Sequence, residues 1–516
     1  MSQFRKYMQM YKYFIWAALL YVAGCVVALH WYRYAINPDG VSYISIAQKY
    51  ASGNFSEAIN GYWGPLLSWL LAPFIWLHKD AQIAARLIFM GSGVITLFLC
   101  VQIAKKWKVK ASIEAALLFS LVPVLVFWSA AGPITPDLLV LSLYLAYLSL
   151  QNRKPSYMNA VLLGGVGAIG YFSKAYFLPF FVAHSICMVL YRIKFERTGV
   201  REIRYWSVSI IALCIFVLPW VGMISAKYGE ITYSTSGAYN FSLLNPAKPG
   251  HPLNYIGLTA PFTDSALSAW EDPSYIPRAS WNPFSSKTNI AAMVRTVFDN
   301  GKRVGAALFE FSAFSMAFWV FALLVLVQKG RKARSYLFLY MSAGMTYVLG
   351  YLVLLAEYRY FWPIFASLTI LFCLMLNDVR VAKYKKSVAR SLYLLAVLSI
   401  VVTPLTQLYY QRNKHIPQYY QSMVIKPYLP KDARLAADNF DAIKHCYYLR
   451  LHCLGVINPN NTVHENKVQL KDKKADFVLI TETDSTWRVP GYLEEYEEVT
   501  TVGRAILFKR SLSERY

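Results

Sequence analysis

The sequence predicts a polytopic α-helical membrane protein of about eleven transmembrane helices, with a small C-terminal extracytoplasmic α/β domain. Three observations lead there. Of 516 residues, 56% are hydrophobic and only 16% charged, with a mean hydropathy of +0.34; soluble domains average ~25% charged residues. Apolar runs of near-spanning length recur between residues 14 and 409. Lys and Arg gather in alternate connections between those runs, the bias that keeps basic loops on the cytoplasmic side.

The runs fall near 14–30, 82–104, 113–131, 137–151, 157–173, 176–191, 206–224, 306–327, 336–355, 361–377 and 391–409. Several are short for a helix that needs roughly 20 residues to cross a bilayer, so the count is uncertain by about two. With Arg5, Lys6 and Lys12 cytoplasmic, the basic segments 105–110, 152–154, 191–204, 328–334 and 377–390 all fall inside as well. The net charge of +24 is then largely this positive-inside signature, answered by anionic lipid headgroups, and calls for no nucleic acid. The first run follows a basic segment but lacks a small-residue cleavage site, so it is expected to stay as an anchor.

This topology places residues 1–410 in a transmembrane domain and turns four stretches outward: 31–81, 132–136, 225–305 and 411–516. Within the first stretch, Ser42–Ala51 is amphipathic, and the apolar run Pro65–Leu77 covers about 13 residues, too few for a comfortable span. It reads as an interfacial helix. Counting it as a span would put every later basic cluster outside. The loop 225–305 is rich in Pro and aromatic residues, which suits an ordered irregular cap with faces for sugar stacking, or equally a loop held on the membrane by its aromatics.

Beyond residue 411 the pattern alternates strands (433–437, 453–457, 476–482, 497–502, 504–510) with helices (441–451, 464–474), predicting an α/β unit with a mostly parallel sheet. It carries no Gly-rich phosphate loop, so binding or positioning is expected of it. Five of seven cysteines lie in spans as apolar fillers. Cys446 and Cys453 face outward, and whether they pair stays open.

Ionisable residues gather at the outward membrane ends: Asp39 in NPDG, Asp137 in TPD, Lys174 in FSKAYF and Arg359 in EYRYFWP, with Glu357 and Arg33 nearby. Such groups are costly there unless they pair or line a polar cavity. Each has a plainer reading. Asp39 fits a β-turn, Asp137 fits the first turn of a helix capped by Thr135, and Lys174 and Arg359 fit interfacial anchors reaching for headgroups.

The order of these features resembles the GT-C glycosyltransferases. It comprises D-x-x-x-Y (Asp39, Tyr43), a stretch from Gly53 to Leu66, the second acid Asp137, Lys174 at a span end and the late E-x-R-Y-x-x-P (Glu357, Arg359, Tyr360, Pro363). Within that superfamily the chain is similar to the protein O-mannosyltransferase and lipid A aminoarabinose transferase type, over roughly residues 10–380. The resemblance implies transfer of a sugar from a polyprenyl-phosphate carrier to a lipid, glycan or protein acceptor on the outer face of a membrane, by bacterial analogy the inner one. It makes Asp39 the catalytic base and Asp137 a second acidic residue, with Lys174, Arg359 and Arg33 candidates for the carrier phosphate, and Tyr43, Trp63, Glu357 and Tyr360 for substrate contact.

One departure from the family stands out. Its aminoarabinose members often carry Lys before the proline of the interfacial helix, whereas this chain reads Tyr62-Trp63-Gly64-Pro65-Leu66, leaving phosphate to other cations or to the helix N-terminus. A single displacement would invert the anomeric carbon; Asp137 as a nucleophile would instead retain it. No metal-ligand spacing is visible, so no obligatory metal or other cofactor is expected, although some family members use a divalent ion. The reading from a different class is a transporter or flippase of a lipid-linked saccharide, which would place its polar groups nearer the midplane between repeated halves.

Overall fold

A computed structural model describes residues 8–315, 331–378, 386–458, 460–481, 491 and 493–511. Among the described residues, thirteen helices of eleven residues or more form the apolar part: α1 (Lys12–Tyr32), α2 (Pro38–Ala51), α3 (Leu66–Trp76), α4 (Ala81–Lys106), α5 (Ala111–Val126), α6 (Asp137–Gln151), α7 (Tyr157–Ser173), α8 (Phe177–Tyr191), α9 (Val200–Tyr228), α10 (Lys287–Phe311), α11 (Arg331–Leu352), α12 (Trp362–Asp378) and α13 (Lys386–Gln411). Among the described residues, seven helical stretches are long and apolar enough to cross a membrane, and the chain is an integral membrane protein. The predicted span 306–327 lies mostly outside the described residues; its first part is the end of α10.

The run 65–77 forms α3, of 11 residues. Leu67, Ser68 and Leu71 are buried while Trp76 and Leu77 are exposed, the split expected of a helix lying along an interface. Its Ser68 hydroxyl donates to the Tyr43 carbonyl of α2 at 2.9 Å, so the two helices pack on each other. From α4, the guanidinium of Arg86, 3% exposed, donates to the carbonyls of Ala35 (2.7 Å), Ser129 (3.2 Å) and Gly132 (2.6 Å). A buried cation thus ties the connection that follows α1 to the one that follows α5, and three carbonyls offset its desolvation.

The C-terminal region adds α14 (Ile416–Ile425), β1 (Arg434–Ala437), α15 (Ala442–Leu449), β2 (His452–Val456), α16 (Val463–Asp472), β3 (Phe477–Ile480), β4 (Tyr496–Val502) and β5 (Ala505–Arg510). The sheet order is β2-β1-β3-β5-β4. The expectation of a mostly parallel sheet is corrected: β1 pairs in parallel with β2 and β3, but β5 runs antiparallel to β3 and β4. The reason is local. Only Gly503 and Arg504 separate the paired Val502 and Ala505, and Gly503 takes φ 63°, so a tight turn closes a hairpin where a parallel strand would need a crossover of a dozen residues.

The loop 225–305 docks on this sheet. The Thr259 N–H donates to the Leu454 carbonyl at 2.7 Å and the Cys453 N–H to the Leu267 carbonyl at 2.8 Å, covering the β2 edge that would otherwise stand open. Cys446 in α15 and Cys453 on β2 are buried thiols in hydrogen-bond contact.

Candidate active site

The segment Asn37-Pro38-Asp39-Gly40 opens a helix instead of closing a β-turn. Asn37 takes extended backbone at the N-cap (φ −124°, ψ 163°), Pro38 follows at the first helical position, and Asp39 stands in the first turn, where the helix dipole favours a carboxylate and a missing N–H costs nothing. A Cβ on Gly40 would lie 2.7 Å from the Ile134 Cβ, so only glycine lets α2 seat directly on residues 132–136. The Asn37 side chain accepts the Ile134 N–H at 2.9 Å. Together with Arg86, these contacts bring the starts of α2 and α6, and hence Asp39 and Asp137, side by side.

Asp137 does more than fill a helix first turn. Its Oδ1 meets Lys174 Nζ at 2.8 Å, its Oδ2 accepts the Thr135 hydroxyl at 2.7 Å, and Arg359 Nε stands 3.8 Å away. Its side chain is 3% exposed. Thr135, expected as the cap, spends its hydroxyl on the carboxylate. Lys174, in extended backbone at the end of α7, also lies 3.5 Å from the Tyr360 ring centroid.

Arg359 comes from a short 3-10 turn, Tyr358–Phe361, and joins the acids. Its Nη2 is 2.8 Å from Asp39 Oδ2 and its Nε 2.7 Å from Glu357 Oε2. The other oxygen of Asp39 accepts the indole N–H of Trp270 at 3.1 Å. Lys174 and Arg359 are therefore held inside the protein by carboxylates, which replaces their reading as headgroup anchors. Three acids surround two cations, and Arg359 fills the space between the acids. Among the described residues no three His, Cys, Asp or Glu groups are placed to share a metal ion.

The cluster borders a chamber of about 300 Å³ lined by Tyr43, Trp63, Lys174, Tyr351 and Tyr360. Its walls are aromatic: Tyr43 and Trp63 lie 5.1 Å apart, and Tyr351 stacks on Tyr360 at 4.9 Å. Behind Trp63 stands Trp270, at 5.5 Å, with His251 4.5 Å beyond it. Burial lowers the His251 imidazole to about 4, against the pull of Asp39 in the other direction.

Eight of the nine site residues singled out from sequence thus meet here: Asp39, Asp137, Lys174, Arg359, Tyr43, Trp63, Glu357 and Tyr360. Arg33 does not. It lines a separate polar cavity of about 580 Å³ together with Lys426 and Arg450, its guanidinium 4.5 Å over the Tyr34 ring. The helix that carries Asp39 begins only at Pro38, and the intervening turn sends Arg33 elsewhere. Sequence reasoning missed Trp270, Tyr351 and Arg86, and gave Thr135 only a capping role. Trp270 sits among the aromatics of the cap, but no spacing rule connects it to Asp39, 231 positions away.

No family model matches the chain, and no curated protein sequence does. Solved structures do. ArnT from Cupriavidus metallidurans, bound to undecaprenyl phosphate, is 12% identical, with 96% of this chain and 98% of that one covered at a TM-score of 0.60. The Archaeoglobus fulgidus oligosaccharyltransferase in its apo form is 11% identical, with 93% of this chain and 70% of that one covered at 0.58. At such identities the likeness speaks for the backbone, and it spans nearly the whole chain: the fold is that of the GT-C membrane glycosyltransferases.

Proposed function

We propose that the chain is a glycosyltransferase that moves a sugar from a polyprenyl-phosphate carrier to an acceptor hydroxyl, on a lipid, glycan or protein, at the extracytoplasmic face of a bacterial-type inner membrane. The observation that carries this reading is the cluster beside the chamber, reaching its lining through Lys174, where two carboxylates from the starts of α2 and α6 meet two cations from distant parts of the chain. The fold it shares with ArnT and the oligosaccharyltransferase supports it. In this reading eleven spans leave the N-terminus cytoplasmic, residues 1–410 form the transmembrane domain and 411–516 an extracytoplasmic one.

The two carboxylates divide the work. Each has both oxygens engaged, but Asp39 retains 15% side-chain exposure against 3% for Asp137. Asp39 is therefore the base, and Asp137 holds Lys174 and Arg359 in place. A carrier phosphate entering the chamber competes for those cations; as Arg359 turns to it, one Asp39 oxygen becomes free. That oxygen takes the acceptor proton while the acceptor oxygen bonds to C1 and the C1–phosphate bond breaks, its electron pair leaving with the polyprenyl phosphate. The cations offset the charge that develops on the departing group, in place of an obligatory metal. The product is inverted at C1.

The test is transfer from a labelled polyprenyl-phosphate sugar by wild type and Asp39→Asn, at matched folded protein and with EDTA in one arm. Asn keeps the shape and the Trp270 contact but accepts no proton, so transfer falls by about 10²–10⁴-fold. Asp39→Asn transferring at the wild-type rate overturns Asp39 as base. Translocation of an intact carrier-linked sugar without release of polyprenyl phosphate overturns the enzyme reading, and loss of transfer with EDTA overturns the metal-free one.

A further inference from the structure

An apolar groove of about 670 Å³ lies between α1, α5 and α13, well apart from the chamber and sharing no lining residue with it. Along α1 it runs from Leu20 to Tyr32, about 18 Å at ~1.5 Å per residue. That is close to half of a ~30 Å hydrocarbon core, so the groove is one leaflet deep. Its edges are open: Leu20, Val27, Leu405 and Tyr409 are all at least half exposed. Water does not fill such a space in a membrane, and acyl chain does.

One end is chemically distinct. Among the described residues, Arg412 is the only charged one lining the groove. Its guanidinium lies 3.9 Å from the Tyr409 ring centroid, and among the described residues it makes no ion pair. Trp31 and Tyr32 stand at the same end, and the Tyr32 hydroxyl donates to the Leu408 carbonyl at 2.6 Å, linking α1 to α13. Aromatic residues beside a cation at the end of an apolar channel match the level of lipid headgroups.

We infer that this groove is a binding site for one anionic glycerophospholipid of the outer leaflet, its phosphate on Arg412 and one acyl chain between α1, α5 and α13. The leaflet follows from the orientation proposed above. The charge complement excludes a preference for zwitterionic headgroups, and a single cation suits a phosphodiester. The lipid clasps α13 to α1 immediately before α14 leads into the sheet, so it fixes the C-terminal unit over the membrane.

The full-length protein in nanodiscs of equal phosphatidylglycerol and phosphatidylcholine is released, and its retained lipid counted by native mass spectrometry. Wild type keeps phosphatidylglycerol about fivefold over phosphatidylcholine, the preference that one cation near a headgroup confers. Arg412→Lys keeps that preference, Arg412→Gln abolishes it, and Ala23→Trp, which fills the groove, loses retained lipid of either kind. Equal retention by wild type, or an unchanged preference in Arg412→Gln, overturns the inference. So does displacement of phosphatidylglycerol by an equal amount of polyprenyl phosphate, or a dimer in place of a lipid adduct. Labelling of Asn413→Cys from outside tests the orientation on its own, so failure of that reading is told apart from failure of the site.

Discussion

The two ends of α2 carry two buried ion-pair clusters of opposite meaning. At the N-terminal end Asp39 meets Arg359; at the C-terminal end Lys49 meets Glu271 of the long loop, with Glu57 3.7 Å away. Both complement the helix dipole, acid at the start and base at the end. The Lys49–Glu271 pair is closed off, with Lys49 6% and Glu271 4% exposed, while Glu57 at its edge is 34% exposed. The Asp39 cluster joins two cations to its acids and borders an aromatic chamber through Lys174 on its lining. Burial and pairing alone therefore do not mark a reacting group. Access to a cavity does.

Mutation tells the two ends of α2 apart, and the largest effect comes at Lys49. Lys49→Met strands Glu271 in the interior and destabilises the fold by about 3–5 kcal/mol, read as a fall in Tm, while the molecules that do fold transfer sugar at nearly the wild-type rate. Adding Glu271→Gln, which still accepts the Leu267 N–H, restores most of the Tm. If the folded fraction of Lys49→Met were as inactive as Asp39→Asn, the distinction between the two ends would fall.

At the other end, Arg359→Lys keeps the charge but loses the fork that reaches Asp39 through Nη2 and Glu357 through Nε. We expect kcat/KM to fall about a hundredfold with little change in Tm. Trp270→Phe removes one hydrogen bond to Asp39, a contact to a charged group of about 1.5–3 kcal/mol, and at the lower figure lowers kcat about tenfold. A larger loss of Tm than of kcat would instead make Trp270 a packing residue.

The smallest effect concerns pH. His251 and His445 are both pushed down to about 4, chiefly by burial. The unfolded chain takes up protons first as pH falls below about 6.5, the fold only near 4, so stability is full above 6.5 and declines between 6.5 and 4. Tm measured at pH 7.5 and pH 5 should drop by a few degrees, and His445→Gln, which can still pair with the Ser422 hydroxyl now on Nδ1 at 2.9 Å, should reduce that drop.

Much of the site was legible because its residues are costly where they stand. Asp39, Asp137, Lys174 and Arg359 are charges at the ends of apolar runs, and a charge there must pair or face a cavity whatever the fold. Arg33 satisfied the same criterion and went elsewhere, because the criterion fixes depth in the membrane and not direction around it. Trp270 and Tyr351 were hidden for a different reason: aromatics are so common at membrane interfaces that nothing marks these two among the rest.

What the sequence by itself determined is what depends on local free energy: the apolar runs, the apolar α3 too short to span, and the strands and helices of the C-terminal unit. The antiparallel hairpin at Gly503 also had a local cause, its two-residue connection. Tertiary structure alone decided the meeting of Asp39 with Asp137, which followed from Arg86, Asn37 and the bare Cα of Gly40 holding two connections between helices together. Those contacts join residues up to 97 positions apart, and each gains its free energy only once both partners are already in place.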